Sequence, residues 1–373
     1  MPNSVRTTRQ ALALSQQDVA RQVGLSRQSL AAIESGRSSP SVDAALKLAR
    51  VLQTSVEALF SDPSTDTVEA ELASSSTALP EHSRGRVVMA RVKDRWVAHS
   101  LPSAWGGGIG IPADGLAAAD AIEGAGKQPM VEVQPLRSHH RDTVLILGCA
   151  QGLGLLAGHV RNTVDSPRYL ALPYSSVAAL ESLRSGHAHI AGIHLTNEHT
   201  GENDLPTIRR KVPGHHYLFN LVHWEAGLVF SQENPKGIQS GADLLRPDVR
   251  LLGRDPGSGA RQLLERTLRQ HGGNPQTMLA TAYQARGHFE VAQLIAAGAA
   301  DVGVSVRAAA EAWGLAFHPL VQESFDLVVP AHHAEDPRIG RLLDVLRTPA
   351  FRRDMEHLGS YDVRSAGDLI AEI

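Results

Sequence analysis

Arg254, Gly257, Ser258, Gly259 and Arg261 form the most pointed chemical pattern in the chain, in the run RDPGSGARQLLERTL. Small residues at a helix start leave backbone N–H groups free to face a ligand. The helix macrodipole adds partial positive charge there, so the pattern suits an anion. Arg254 before the turn and Arg261 in the first helical turn strengthen that reading. A second junction, LPYSSVAALESLRSG, places Ser175 or Ser176 as a helix cap able to turn a hydroxyl or an N–H toward the same cleft. A third, LILGCAQGLGLL, puts Cys149 at the carboxyl end of an apolar run, the edge where ligands collect in open α/β sheets. His194 ends the run HIAGIHL in the same way.

Other chemistries find less support. Among 18 histidines, His187 and His189 share one face of a strand and His194 the other, so the three cannot converge on one ion from a regular strand. One cysteine can form neither an intramolecular disulfide nor a multi-cysteine zinc site, and no metal or cofactor is expected. Cys149 reads as a small buried residue rather than a nucleophile, because no His–Asn arrangement accompanies it by spacing. No GxSxG elbow, P-loop or HExxH occurs, which leaves an enzyme without a catalytic constellation.

The elements that position these groups follow from composition. A chain of 373 residues, 42% hydrophobic and 20% charged, is long enough for two or three domains. Residues 61–84 are rich in Ser, Thr, Pro and acids without apolar periodicity, as a flexible linker would be. Residues 1–60 carry a net +3 and the remainder −6, within a total of −3. That balance excludes a chain that coats nucleic acid by charge throughout but allows a local basic face. Short alternating stretches predict a small β-rich connector over 85–138. From 139 to 373, runs such as TVLILG, RYLAL and FDLVVP alternate with helical patterns, predicting a parallel α/β sheet. The polar amino terminus has no secretory apolar core, and no run approaches the ~18 apolar residues of a membrane span, so cytoplasm without a membrane partner is expected.

Within residues 1–60, SQQDVARQVGLSRQSLAAIES has the arrangement of a helix-turn-helix. Ala20 is small where two helices approach, Gly24 can take the positive φ of the turn, and Val19, Val23, Leu25, Leu30 and Ile33 fill the seam. Ser26 caps the second helix, from which Arg27 and Gln28 project toward base edges. Ala32 suits a thymine methyl. Gln16, Ser29, Arg37 and Ser38 suit phosphates, which set register. Over about 4–60, including IESGRSSPS, this segment resembles the Cro-type, xenobiotic-response-element family of helix-turn-helix regulators. The resemblance implies binding to a double-stranded DNA operator.

The run from about 143 to 361 resembles the periplasmic-binding-protein-like domain associated with molybdate and molybdopterin metabolism. Five blocks carry it: the stretch from SSVAALESLRSG to LPTIRR, GLVFSQENPKGI, RDPGSGARQLLE, GAADVGVSVRAAAEAWGLAF and ESFDLVVP. The chain departs from the family pattern at GCAQ, where relatives often have an acidic or His-containing turn, and at GSGAR, which replaces GSGTR. The resemblance implies two α/β lobes closing on a molybdate- or tungstate-like oxyanion between Ser175, Ser176, His194 and the GSG–Arg261 turn. The fold expected is therefore multidomain: an all-α helix-turn-helix domain, a β-rich connector and a two-lobed α/β domain. The function expected is a non-enzymatic transcriptional regulator sensing a small anionic effector, acting as a homodimer because one helix-turn-helix reads only a half-site. The alternatives are a regulator of an organic metabolite, or a molybdenum-cofactor biosynthesis protein with a docking helical domain.

Overall fold

In the computed structural model, residues 3–60, 67–73, 85–101, 111–117, 129–136, 142–160, 167–195, 197 and 203–373 are described. Five helices open the chain: α1 (Val5–Ala11), α2 (Gln16–Val23), α3 (Arg27–Glu34), α4 (Val42–Val51) and α5 (Val56–Phe60). Serines set three of the starts. Ser15, Ser26 and Ser41 each accept from the N–H three residues on, satisfying a donor the helix leaves orphaned. Gly24 ends α2 at φ +79°, a left-handed conformation that costs an L side chain strain. Val19, Val23, Leu30, Ile33, Leu48 and Leu52 pack into one core.

The next five strands form a closed barrel in the order β1-β3-β2-β4-β5: β1 (Val68–Leu72), β2 (Gly85–Val92), β3 (Arg95–Ser100), β4 (Gly115–Ala117) and β5 (Met130–Pro135). This corrects the expected linker. Residues 68–72 pair with β3 and β5, because Ala70 faces the apolar interior with Val87, Met89, Ala98, Val131 and Val133 while Glu69 faces out. The signal was present in VEAEL, where Val68, Ala70 and Leu72 alternate with Glu69 and Glu71, but it is five residues long inside a polar stretch. Residues 61–66 and 74–84 of the linker segment lie outside the described residues, as does part of 85–138.

The barrel is fastened to the third unit by polar contacts. Arg168 donates to both carboxylate oxygens of buried Asp114, the Nη1 bond being 2.6 Å, and to Met89 O at 3.1 Å. His99 meets Tyr174 Oη at 2.8 Å and His187 O at 2.7 Å.

The third unit begins with β6 (Thr143–Gly148), α6 (Gly152–Val160), β7 (Arg168–Pro173), α7 (Ser176–Arg184), β8 (Ile190–Ile193) and α8 (Leu205–Lys211). Then come β9 (His216–Phe230), β10 (Gly253–Arg254), α9 (Gly259–Gln270), α10 (Pro275–Met278), β11 (Gln284–Ala285), α11 (His288–Ala296), β12 (Val302–Val306) and α12 (Arg307–Ala312). The chain closes with β13 (Ala316–Pro330), α13 (Ala331–Ala334), α14 (Pro337–Leu346), α15 (Pro349–His357), β14 (Tyr361–Asp362) and β15 (Leu369–Glu372).

The main sheet runs β12-β9-β13-β8-β6-β7, with β14 and β15 on β9. Only the β6–β7 and β6–β8 pairs are parallel; β13 pairs antiparallel with β8 and β9, and β12 with β9. The parallel sheet expected from the alternation of elements is thus replaced by a mixed one. The cause lies in β9 and β13, two antiparallel strands of 15 residues each, about 50 Å long, that cross from one lobe into the other. Lobe one packs α6, α7 and the carboxyl-terminal helices on β6–β8 through Ile146, Leu153, Leu180 and Phe351. Lobe two packs α9 on β12 and the far ends of β9 and β13 through Leu228, Leu263, Leu264 and Val304.

Candidate functional site

In the helical unit, α3, its cap and the turn after it present most of the side chains that sequence analysis marks. Ser26, Arg27, Gln28, Ser29, Arg37 and Ser38 are exposed, and Ala32 is half-buried. Ser26 accepts from Ser29 N at 3.0 Å, and their hydroxyls lie 2.8 Å apart, so both serines stiffen the first turn that carries Arg27 and Gln28. Arg37 donates from Nε to Ser35 Oγ at 2.9 Å. Gln16 has inward work as well: its amide donates to Glu34 at 2.8 Å, and Glu34 holds Arg9 at 2.6 Å in a largely buried pair. One amide hydrogen of Gln16 is therefore structural.

The second cluster lies between the lobes. Cys149 follows β6, His194 follows β8, Trp224 and Glu323 come from the long strands β9 and β13, and Arg254 and His288 come from β10 and the start of α11. His194 is wholly buried and engages Glu323 Oε2 through Nδ1 at 3.1 Å. Trp224 Nε1 donates to the same oxygen at 3.0 Å. Ser176, also buried, accepts from the His194 backbone N–H at 3.1 Å, so its hydroxyl fixes the strand end rather than facing the cleft. The Cys149 sulfur stands 4.0 Å from His288 Nε2.

Electrostatics divide the two histidines. Burial works against the charged form of His194, but the Cys149 sulfur and the Glu323 carboxylate outweigh it and raise its pKa to about 10. Burial, with Arg254 and His194 nearby, pushes His288 well below its ordinary value. Burial also raises Glu323, yet donation from His194 and Trp224 overcomes this and leaves it below the usual carboxylate range. Arg254 is the largest fully buried side chain among the described residues. The partners of its terminal nitrogens, Asp255, Val304 O and His288 Nδ1, each stand at 3.4 Å, and its Nε has none. His194 Nε2 and Glu323 Oε1 are likewise buried without hydrogen-bond partners. Orphaned polar atoms are costly in a packed interior, so three in one cluster mark a place built for a further group.

The GSG turn sits differently from the anion seat that the sequence suggests. Ser258 caps α9, donating to Asp255 O at 2.9 Å and accepting from Arg261 N at 3.1 Å. Arg261 is engaged within lobe two by Glu265 at 2.7 Å, Gln284 at 2.6 Å and Arg254 O at 3.1 Å, which removes its guanidinium from the ligand set. Gly257 and Gly259 touch the other lobe instead. A Cβ on Gly259 would stand 2.1 Å from His194 O; one on Gly257, already at φ +81°, would meet Val177 Cβ at 3.1 Å and Ser175 Oγ at 3.5 Å. Val177 N donates to Gly257 O at 3.3 Å. Ser175 caps α7 beside this contact. These glycines are a clasp between lobes.

Of the predicted ligand residues, the fold brings Cys149, His194 and Arg254 into one cluster, and Ser175, Ser176, Gly257 and Gly259 into the adjoining clasp. Sequence reasoning missed His288, Glu323 and Trp224. His288 had a readable signal in RGHFEV, a third junction with glycine before a helix, where Gly287 takes φ +98°. Glu323 stood out only as an acid opening the apolar run ESFDLVVP.

A helix-turn-helix unit joined to a two-lobed α/β fold with a polar cluster between the lobes defines a Cro/C1-type helix-turn-helix fused to a binding-protein-like domain. The family models agree: a helix-turn-helix model matches residues 5–59, and a PBP superfamily domain model matches 157–347. That second match spans more than half of the chain, which therefore belongs to the PBP superfamily. Among relatives, "Uncharacterized protein YvgK" of Bacillus subtilis (strain 168) is 29% identical over 249 residues, 66% of this chain and 80% of that one. Among solved structures, the sulfate-binding protein SubI of Mycobacterium tuberculosis H37Rv has a TM-score of 0.44 at 14% identity, over 61% of this chain and 89% of that one. PhnD1 of Prochlorococcus marinus (MIT 9301), in complex with methylphosphonate, has a TM-score of 0.43 at 12% identity, over 59% and 92%. No helix among the described residues is long and apolar enough to cross a membrane.

Proposed function

We propose that this protein is a cytoplasmic, ligand-responsive transcription regulator that binds an operator through α3 as a homodimer and senses a small anion between its lobes. Arg27 and Gln28 read base edges, each bidentate pair being worth about 1–3 kcal/mol of discrimination. Ser26, Ser29, Arg37, Ser38 and the second amide hydrogen of Gln16 hold phosphates, and Ala32 meets a thymine methyl. Two copies are needed because one such unit spans a half-site.

The observation that carries the effector reading is Arg254: a buried guanidinium whose hydrogen-bond partners stand 3.4 Å away, in the cluster where the Cys149 sulfur and the Glu323 carboxylate raise the pKa of His194. An anion supplies the short, charge-assisted bonds that this guanidinium lacks. Its class, on the resemblance given above, is an oxyanion such as molybdate or tungstate. The Gly257–Gly259 clasp links capture to closure, and the effector shifts DNA binding only by its differential affinity for open and closed lobes. Thermal unfolding of the full chain with molybdate, tungstate or sulfate tests this. A true effector at 100 times its Kd stabilises by about 2.7 kcal/mol. No shift with any of the three defeats the oxyanion, and a shift with an organic acid instead supports the metabolite version.

A further inference from the structure

We propose that Cys149, His194 and His288 form a binding site for a thiophilic divalent cation of the zinc class, with ligands drawn from both lobes. This goes beyond the regulator reading and stands or falls without it. The three side chains offer one sulfur and two imidazole nitrogens that all lie within 4.8 Å of one another. A four-coordinate zinc ion holds sulfur at about 2.3 Å and nitrogen at about 2.0–2.1 Å, which sets ligand atoms about 3.4–3.6 Å apart. The Cys149 to His288 separation of 4.0 Å is close to that spacing, and the outer bound of 4.8 Å asks for a contraction of about 1.2–1.4 Å.

Second, the surroundings are those of a metal ligand. His194 engages a carboxylate through Nδ1, leaving the buried Nε2 without a partner. A carboxylate on the far nitrogen fixes the ring and raises its basicity toward a metal. Glu323 is itself held by Trp224 Nε1, so the orienting group is positioned in turn. His288 lies with Nδ1 3.5 Å from Ser305 Oγ, whose hydroxyl hydrogen goes to His288 O at 2.9 Å. Ligation through Nε2, which faces Cys149, takes the Nδ1–H tautomer, its hydrogen going to Ser305 Oγ while Arg254 Nη1, 3.4 Å from the same nitrogen, donates to Val304 O instead. Cys149 and His194 belong to lobe one and His288 opens a helix of lobe two, so the ion cross-links the lobes where Gly259 already touches His194. Three protein ligands leave one position of a four-coordinate ion for water or an anion.

The test uses the full-length chain, stripped with chelator and titrated with Co2+ and then Zn2+. Because the chain has a single cysteine, a thiolate-to-cobalt charge-transfer band can come from Cys149 alone. The expected result is a band that saturates at one equivalent, is displaced by Zn2+, and vanishes in Cys149→Ser. His288→Ala should weaken Co2+ binding by at least tenfold, and Glu323→Gln by about 10- to 100-fold, the range for an orienting partner. Far-ultraviolet circular dichroism of each variant shows whether it folds; should His288→Ala fail, His288→Gln takes its place. Absence of a saturable band in the wild-type chain overturns the site. Undiminished affinity on loss of His288 overturns the link between lobes. Loss of DNA binding with the band intact would count against the regulator and leave the metal site standing.

Discussion

Single side chains divide here between those that hold the fold and those that face a partner. Arg261 belongs to the first group: its bonds to Glu265, Gln284 and Arg254 O predict that Arg261→Ala costs about 1–3 kcal/mol in denaturant unfolding while a cleft ligand still binds. Glu34 is more severe. Removing its carboxylate leaves buried Arg9 unpaired, and Glu34→Ala should cost about 3–5 kcal/mol in the helical unit. Arg27 is exposed, so Arg27→Ala should leave stability unchanged and reduce discrimination between operator and mutated sites about five- to 150-fold in competition binding. Buried neutral histidines add a pH dependence. Burial lowers His99 and His333 to about 4 and His189 to about 3. At these three sites the unfolded chain therefore binds more protons below about 6.5, and their contribution to stability is full above that pH and falls as acid is added toward 4. Thermal unfolding from pH 7.5 to 4.5 should show that fall, and Tyr174→Phe, which removes the hydroxyl facing His99 Nδ1, should lower stability further by about 1 kcal/mol.

At the scale of elements, the clasp between α7 and the start of α9 has the sharpest consequence. Gly259→Ala places a methyl 2.1 Å from the His194 carbonyl, which backbone cannot absorb, so the lobes must part. The expected outcome is a larger radius of gyration in solution scattering with each lobe still folded; an unchanged radius would show that the contact yields locally. The helices were legible from sequence because their signals are local: Ser15, Ser26 and Ser41 cap within three residues, and Gly24 punctuates the turn. The barrel strand at Val68–Leu72 was not, since its inner face is only Val68, Ala70 and Leu72 within a polar stretch and its partners lie 26 and more residues away. The antiparallel course of β9 and β13 was equally hidden, because alternation of strand and helix does not reveal which strands cross between lobes.

For the whole molecule, the candidate site was half visible. Cys149, His194 and Arg254 could be named because each sits at a strand-to-helix junction, a feature carried by neighbouring residues. His288, Glu323 and Trp224 become partners only when two lobes fold together, from positions more than 70 residues beyond Cys149. The segregation of charge, +3 in residues 1–60 against −6 elsewhere, fits a chain whose front unit alone faces DNA. Ligand-controlled DNA binding is the central claim, and it is tested most directly by selecting operator fragments from a random duplex pool with the full-length protein. The affinity of the selected fragment is then measured against salt, with and without oxyanion. The account predicts one enriched sequence with two related half-sites, a steep loss of affinity as salt rises, and a shift on adding the effector. Recovery of no common sequence at low salt would contradict it.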